Sequence, residues 1–349
     1  MSDPIHLFVP TFRVDEVLAE IRECLEKGWT GLGFKTVAFE QGWRSYSGLP
    51  HAHFLSSATA GLHLAVKLLK ESGGWQDGDE VITTPLTFVS RNLAILYESL
   101  RPVFADVDEH LCLDPASVTA RITPRTRAVC FVGMGGNPGR YAAVRDLCRE
   151  RGLKLILDAA HMTGTRVGGR HAGHDADVSV FSFQAVKNLP TADSGMICFS
   201  DAALDAEVRK WTWLGINKDT YSRTVSDAAY KWLYDVEHVG FKYHGNSIMA
   251  AMGLVALRYV EEDNVRRRQI AAWYDEALAG GAFFLYLFPK FTQGWDAPPV
   301  DFSVTVWIGF IACFGMATET GIIMLVYLRE AIDKRGGLEN IASLEELRQ

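Results

Sequence analysis

The sequence lacks the marks of a disulfide-rich, a nucleic-acid-binding and a secreted protein. Its 6 cysteines include no Cys-x-x-Cys pair, which predicts reduced core cysteines rather than a disulfide framework or a zinc site. The 35 basic residues do not outnumber the 42 acidic ones, so the net charge of −7 gives no electrostatic reason to expect nucleic acid. The first residues show no basic stretch followed by an apolar one, and we therefore expect no signal peptide and a cytoplasmic location.

Apolar strand-like runs alternate with helical patterns through most of the chain. The apolar spacing predicts helices over 14–27, 92–99 and 141–151, and a further helix that starts just after residue 57. Short apolar runs predict strands at 80–89, where the strand leads into a loop, and at 101–108, 128–132, 153–157, 178–181 and 196–199. This alternation predicts an α/β fold with a mostly parallel sheet.

Five polar residues directly follow predicted strands, namely Ser57, Asp158, His161, Ser182 and Lys187. Ligands of open α/β sheets bind outside the carboxyl ends of the strands. We therefore expect these five side chains to line one crevice.

The two charged residues of this set each have a functional and a structural interpretation. Lys187 lies in a polar loop between two apolar runs. By itself it is a solvated loop lysine, but a desolvated amine there could form a Schiff base with an aldehyde. Asp158 closes an apolar strand and precedes two alanines. It either caps a turn or holds a proton on a nitrogen of a flat heterocycle.

The residues alone also leave more than one interpretation for each of the remaining positions. His161 could orient Asp158, stack on a ligand or be a structural histidine. The run Ser57-Ala58-Thr59 is an anion site at a helix N-terminus or an ordinary N-cap. The three glycines of the loop 28–33 indicate either simple turns or a rim that faces substrate.

Several motifs in order resemble one known family. The resemblance runs from about residue 8 to about residue 274, and its main blocks are Ser57-Ala58-Thr59, Phe88, Asp158-Ala159-Ala160-His161, Ser182-Phe183 and Lys187-Asn188. Together they resemble the PLP-dependent aminotransferases of nucleotide-linked keto-sugars, the DegT/DnrJ/EryC1/StrS family. The resemblance implies the aspartate aminotransferase fold, PLP-dependent transferase fold type I.

The resemblance also implies a role for each matched position. Lys187 would carry the cofactor pyridoxal 5'-phosphate and move a proton, while Asp158 would pair with the pyridine nitrogen, with His161 as a third catalytic candidate. The other implied cofactor contacts are Ser57, the Ala58 and Thr59 amides, Phe88 stacked on the ring, Ser182, Gln184, and Asn246 reaching the neighbouring subunit's phosphate. No metal is implied.

The implied reaction is a ping-pong transfer of an amino group, with glutamate as donor and a nucleotide-linked keto-sugar as acceptor, in amino-sugar, polysaccharide or secondary-metabolite biosynthesis. The implied active unit is a homodimer with shared sites. Lys187 separates the chain from related sugar dehydratases, which carry histidine there. The chain departs from the family at Gln184, where histidine is frequent, and near Ile248, where arginine is frequent.

The C-terminal part has a different character. Residues 304–328 contain a single residue that is charged at neutral pH, Glu319, and their length predicts a membrane-spanning helix rather than a buried soluble one. Residues 301–349 resemble a segment of heavy-metal RND efflux pumps, whose intramembrane carboxylate Glu319 would match. We therefore expect a large domain over 1–278, a junction over 279–303 and a hydrophobic tail over 304–349. In the family a small C-terminal domain follows the helix that here spans about 265–278, and this tail would stand where that domain is missing.

This division leaves alternatives to an active enzyme. The chain could be a chimera of an aminotransferase and a pump fragment, and its body an inactive fragment with the same fold. It could also be a protein tethered to the inner membrane, with membrane contact only through 304–328.

Overall fold

A computed structural model describes residues 9–226, 230 and 232–286, with side chains to residue 276. The chain divides into two compact units, Met1–Arg267 and Arg268–Gln349. The architecture below is that of the first unit.

The strands of this unit are short, and those in the interior of the main sheet are buried. They are β1 (His51–Leu55), β2 (Glu80–Thr83), β3 (Arg101–Phe104), β4 (Thr126–Val132), β5 (Lys154–Asp158), β6 (Arg166–Val167), β7 (Arg170–His171), β8 (Val178–Ser182) and β9 (Gly195–Phe199). The helices are α1 (Val14–Glu26), α2 (Phe34–Ser47), α3 (Ala58–Gly73), α4 (Ser90–Tyr97), α5 (Pro115–Arg121), α6 (Tyr141–Arg151), α7 (Ala202–Thr212), α8 (Thr220–Val225) and α9 (Ser247–Tyr286).

Seven strands form one sheet in the order β1-β9-β8-β5-β4-β2-β3, and β6 pairs with β7 in a small hairpin. The five neighbours from β8 to β3 are parallel. Strand β9 runs antiparallel to both β1 and β8. The mostly parallel sheet expected from the alternating pattern is therefore present.

The central strands are apolar on both faces because helices cover both sides of the sheet. Phe131 of β4 and Leu157 of β5 pack in one cluster with residues of α2, α6 and α9. Their neighbours Cys130 and Ile156 point the other way, into a cluster with α3, α4 and α7. The result is a three-layer α/β/α arrangement, in which polar groups can gather only at the strand ends.

Several helices begin at side chains that accept amide hydrogen bonds. Ser57 caps α3 through the Ala60 amide, and Asp201 caps α7 through the Ala203 amide. Asn246 caps α9, because its Oδ1 accepts the Met249 amide at 2.9 Å. Each cap satisfies a donor that the first helical turn leaves free.

The element boundaries differ from the expected ones in a few places. Helix α4 begins and ends two residues early, and Ser99 beyond its end has a left-handed φ of 56°. A helix expected over about 265–278 is part of the much longer α9. The five described cysteines, Cys24, Cys112, Cys130, Cys148 and Cys198, are free and buried.

The hydrophobic stretch 304–328 and the junction before it lie outside the described residues, so the predicted membrane helix and domain division stay predictions. Of the helices in the described ranges, none is long and apolar enough to cross a membrane.

Candidate active site

A cavity of about 570 Å³ opens at the carboxyl ends of β4, β5 and β8, in front of the first turn of α3. Such a volume is in the range of small-molecule sites. All five strand-end residues that were expected to meet lie on its wall. The lining consists of Ser57, Ala58, Thr59, Leu62, Thr87, Phe88, Ser90, Val132, Met134, Asp158, Ala160, His161, Ser182, Gln184, Val186, Lys187 and Asp193.

The first turn of α3 presents amide donors to this cavity. The Ser57 Oγ accepts the Ala60 amide at 3.1 Å. The Ala58 and Thr59 amides have no acceptor within the described chain. Unbonded amides and the helix dipole together favour an anion at this point.

Gly195, the first residue of β9, packs against the first turn of α3. A Cβ atom built on Gly195 would lie 2.6 Å from the Ala58 nitrogen and 2.8 Å from its Cα. Any larger residue at this position would therefore displace the amides that face the cavity.

Asp158 is the last residue of β5 and is only 6% exposed. Its Oδ1 accepts the Ala160 amide at 3.2 Å. Within the described chain no cation lies close enough to form an ion pair with it. A buried carboxylate with spare acceptor capacity can bind a protonated nitrogen of a ligand.

Lys187 stands on the loop between β8 and β9. The Lys187 amide donates to the Gln184 carbonyl at 2.8 Å, and the Phe183 and Ser194 backbones close the loop at its base. Burial lowers the pKa of the Lys187 amine, and the negative charge of Asp158 partly opposes this. The amine is therefore more often neutral, and more nucleophilic, than a solvated lysine.

His161 lies at the cavity wall without a hydrogen bond to Asp158 in the described structure. Its Nδ1 accepts the Gly135 amide at 3.2 Å, which leaves Nε2 to carry the proton of the neutral ring. Partial burial and the charge of Lys187 lower the pKa of His161, while Asp158 raises it. The ring is thus positioned by a backbone contact rather than by the carboxylate.

Three further predicted residues complete the wall. Phe88 is 77% exposed, and its ring lines the cavity, where it offers an apolar face to a ligand. The Gln184 Oε1 accepts the Val186 amide at 3.2 Å, within its own loop. Ser182 is nearly buried at the end of β8 and accepts the Gln184 amide at 3.5 Å.

Asn246 and the glycine loop 28–33 do not line this cavity. Asn246 serves as the cap of α9 within its own chain. Its expected contact with a neighbouring subunit therefore stays a prediction.

The sequence interpretation missed the acid Asp193. It lies on the cavity wall, and burial without a compensating cation raises its pKa. Its position could have indicated it, because it lies six residues after Lys187 in the same loop, just before β9.

The residues present fit a phosphate-bearing aromatic aldehyde such as PLP. The α3 amides suit the phosphate, Asp158 suits a protonated ring nitrogen, and Lys187 suits the aldehyde. The exposed Phe88 ring supplies an apolar face for a flat ligand. These four features lie on one cavity that is large enough for the cofactor and part of a substrate.

Comparison with known proteins agrees with this arrangement. SpsC, a spore coat polysaccharide biosynthesis protein of Bacillus subtilis strain 168, is 38% identical over 263 residues. This match covers 75% of the chain and 66% of SpsC, so the chain spans slightly less than two thirds of that relative.

Solved structures of aminotransferases share the fold. TlmJ of Streptoalloteichus hindustanus is 37% identical with a TM-score of 0.71, over 79% of this chain and 72% of TlmJ. DesI, solved in the presence of its TDP-sugar product, is 31% identical with a TM-score of 0.65, over 78% of this chain and 65% of DesI.

The family model extends further than the motifs indicated. It matches residues 13–300, whereas the motifs were followed only to about residue 274. These comparisons give no support to the efflux-pump resemblance of residues 301–349 or to a chimera. With most of its length matched, the chain belongs to the DegT/DnrJ/EryC1/StrS aminotransferase family.

Proposed function

We propose that this chain is a PLP-dependent aminotransferase that transfers an amino group to a nucleotide-linked keto-sugar. One observation carries the proposal: Lys187 and Asp158 face one cavity, in front of the unbonded first-turn amides of α3. An amine with a lowered pKa, an unpaired acid and an anion site together form the residue set that this chemistry needs.

When bound, PLP supplies an electron sink for the negative charge that develops beside the transferred nitrogen. The chain's own residues bind it and move protons. The Ala58 and Thr59 amides would hold the phosphate, and Asp158 would keep a proton on the ring nitrogen. The Lys187 Nζ would hold the cofactor covalently, and as a free amine it would move a proton. Phe88 covers the site and limits the entry of water.

The sugar substrate is proposed from the relatives. SpsC is named for polysaccharide biosynthesis, and DesI was solved with a TDP-sugar product. These names support a nucleotide-linked sugar as the acceptor in this chain. We further propose glutamate as the amino donor, a homodimer as the active unit and a cytoplasmic location.

The cofactor assignment is tested by reconstitution. Purified protein incubated with PLP should gain a visible absorbance band, and borohydride should then attach the cofactor permanently to the peptide that contains Lys187. Lys187→Ala should lose the band and all amino transfer. Lys154→Ala is the matched control, because Lys154 lies on the same sheet but at the opposite end of β5, paired with Asp177.

The opposite pattern would exclude the proposal. A Lys187→Ala variant with normal transfer, or attachment of the cofactor to a different lysine in the native protein, would show that Lys187 does not carry the reaction.

A further inference from the structure

The charged groups of the cavity lie at the end of β5 and on the loops after β5 and β8, and an amide cluster joins these two loops. Asp158 ends β5, His161 follows on the loop after it, and Lys187 lies on the loop after β8. Asn188 follows the lysine, and its Nδ2 donates to the Thr163 carbonyl of the first loop at 2.6 Å. The two loops are therefore tied together one residue away from the amine.

A third element completes this cluster. Asn264 of α9 accepts the second Asn188 Nδ2 hydrogen at 3.0 Å through its Oδ1. Its own Nδ2 donates to the Thr163 carbonyl at 3.2 Å. The carbonyl can only accept, so both amide groups are fixed in orientation, and both Asn188 hydrogens are used. Asn188, Asn264 and the Thr163 carbonyl are called the amide cluster below.

The packing around the amide cluster leaves little space for it to rearrange. Gly164 has a φ of +88°, and a Cβ atom there would lie 2.4 Å from the Asn264 Nδ2. The Gly164 amide donates to the His171 Nε2 at 3.1 Å. The first loop is thus held between α9 and the buried His171. Because Asn188 is bonded to the Thr163 carbonyl of this loop and to Asn264, its position is fixed as well.

We infer that Asn264 is a positioning residue for Lys187, acting through Asn188 although it does not itself line the cavity. It fixes the base of the lysine side chain relative to Asp158. This inference rests on the proposed function, because the separation of amine and acid matters only where both act on one ligand. Misplacement of a reacting group by about 1 Å can cost on the order of a hundredfold in rate.

The first test uses the protein without cofactor. Hydrogen exchange followed by mass spectrometry should show that Asn264→Ala accelerates exchange in the peptide 184–193 by about tenfold or more, because the loop opens locally. The peptide 128–132 of β4 should keep its native rate. Asp263→Asn is the matched control, since it breaks the Arg13 ion pair one residue earlier on α9. It should leave the peptide 184–193 unchanged.

The second test uses the protein reconstituted with PLP. The pH midpoint of the cofactor absorbance change should move by about half a pH unit or more in Asn264→Ala, because the surroundings of Lys187 change. Asp263→Asn should keep the native midpoint. Asn188→Ala should reproduce the Asn264→Ala shift, and the double variant should show no further shift, because both remove one network.

Asn264→Asp serves where the alanine variant does not fold. It keeps an acceptor for Asn188 but loses the donor to Thr163, so an intermediate effect is expected. Native exchange and a native midpoint in a folded Asn264 variant, or additive shifts in the double variant, would overturn the inference. Failure of the native protein to attach PLP at Lys187 would instead overturn the proposed function, and the two outcomes are therefore distinguishable.

Discussion

The charged residues at the centre of the site share one physical property, which is that none has an ion-pair partner in the described chain. Partial burial lowers the pKa of Lys187, and partial burial raises the pKa of Asp193. Asp158 is nearly buried and has only a backbone donor in the described chain. Such groups are costly in a folded protein, and they concentrate at sites that bind or react.

The role of Asp158 leads to a residue-level prediction. Asp158→Asn keeps the shape of the side chain but cannot hold a ring proton as a carboxylate does. We expect amino transfer from L-glutamate, followed by cofactor absorbance in stopped flow, to slow by roughly 10²–10⁴. Attachment of the cofactor at Lys187 should persist.

The control for this variant is Asp146→Asn, which makes the same charge change on the half-exposed surface of α6. Its transfer rate should match the native one. A native rate in Asp158→Asn would remove the carboxylate from the mechanism.

At this scale, Lys187 and Asp158 could be predicted from sequence, because Asp158 ends an apolar strand and Lys187 lies in the loop after another. Asn264 could not, since its partner Asn188 lies 76 residues away and nothing in the pattern of α9 marks one asparagine. Asn246 shows a different limit. A residue that serves as a helix cap and one that reaches a neighbouring subunit look the same in the sequence.

Among the elements, the contact between β9 and the start of α3 decides whether the anion site is available. Gly195→Ala would place a methyl group 2.6 Å from the Ala58 nitrogen. We expect a loss of about 1–3 kcal/mol in the free energy of unfolding, as for other overpacked sites. We also expect weaker PLP binding, measured by absorbance titration, because the amides that face the phosphate would shift.

Gly31→Ala is the matched control for this variant, because a Cβ atom at Gly31 meets nothing within 4 Å. Its unfolding free energy should stay within about 0.5 kcal/mol of the native value. Equal PLP affinity in Gly195→Ala and the native protein would show that the α3 amides do not hold the cofactor.

Helices and strands were predictable where periodicity was strong, and α6 has the expected bounds. The ends of α4 were not, because its last turn gives way to a left-handed Ser99, a conformation that the apolar pattern does not encode. The length of α9 was also missed, since its start depends on the Asn246 cap rather than on a change of composition.

For the whole molecule, the buried His171 makes the free energy of unfolding depend on pH. His171 is 2% exposed and packs against Trp43, Tyr46 and Phe181. Burial lowers the pKa of His171 to about 4, whereas the unfolded chain titrates near its ordinary value of about 6.5. The neutral ring therefore stabilises the fold fully above about pH 6.5, and this contribution is lost as the pH falls towards 4.

This pH dependence gives a prediction for unfolding experiments. Between pH 7 and pH 5 the native protein should lose about 2 kcal/mol of unfolding free energy through this one group. Urea unfolding of His171→Gln should show a shallower decline over the same interval, whatever its absolute stability. An equally steep decline in the variant would assign the pH dependence to other groups.

The whole chain was the hardest scale to predict. The mostly parallel sheet followed from the alternation of elements, and the family followed from motifs spread over the first 274 residues. The continuation of the family match to residue 300 could not be predicted from the motifs, because the sequence beyond residue 279 becomes more apolar and carries no motif that was recognised.

The loop of Lys187 has a mechanical consequence. It joins two antiparallel neighbours in the interior of the sheet, where Ser182 pairs with Gly195, so its two ends cannot separate. The Phe183 carbonyl also accepts the Thr191 amide at 2.7 Å, which shortens the span that could flex. The loop is therefore held at both ends, and most of the freedom left to the amine is rotation about the bonds of the Lys187 side chain.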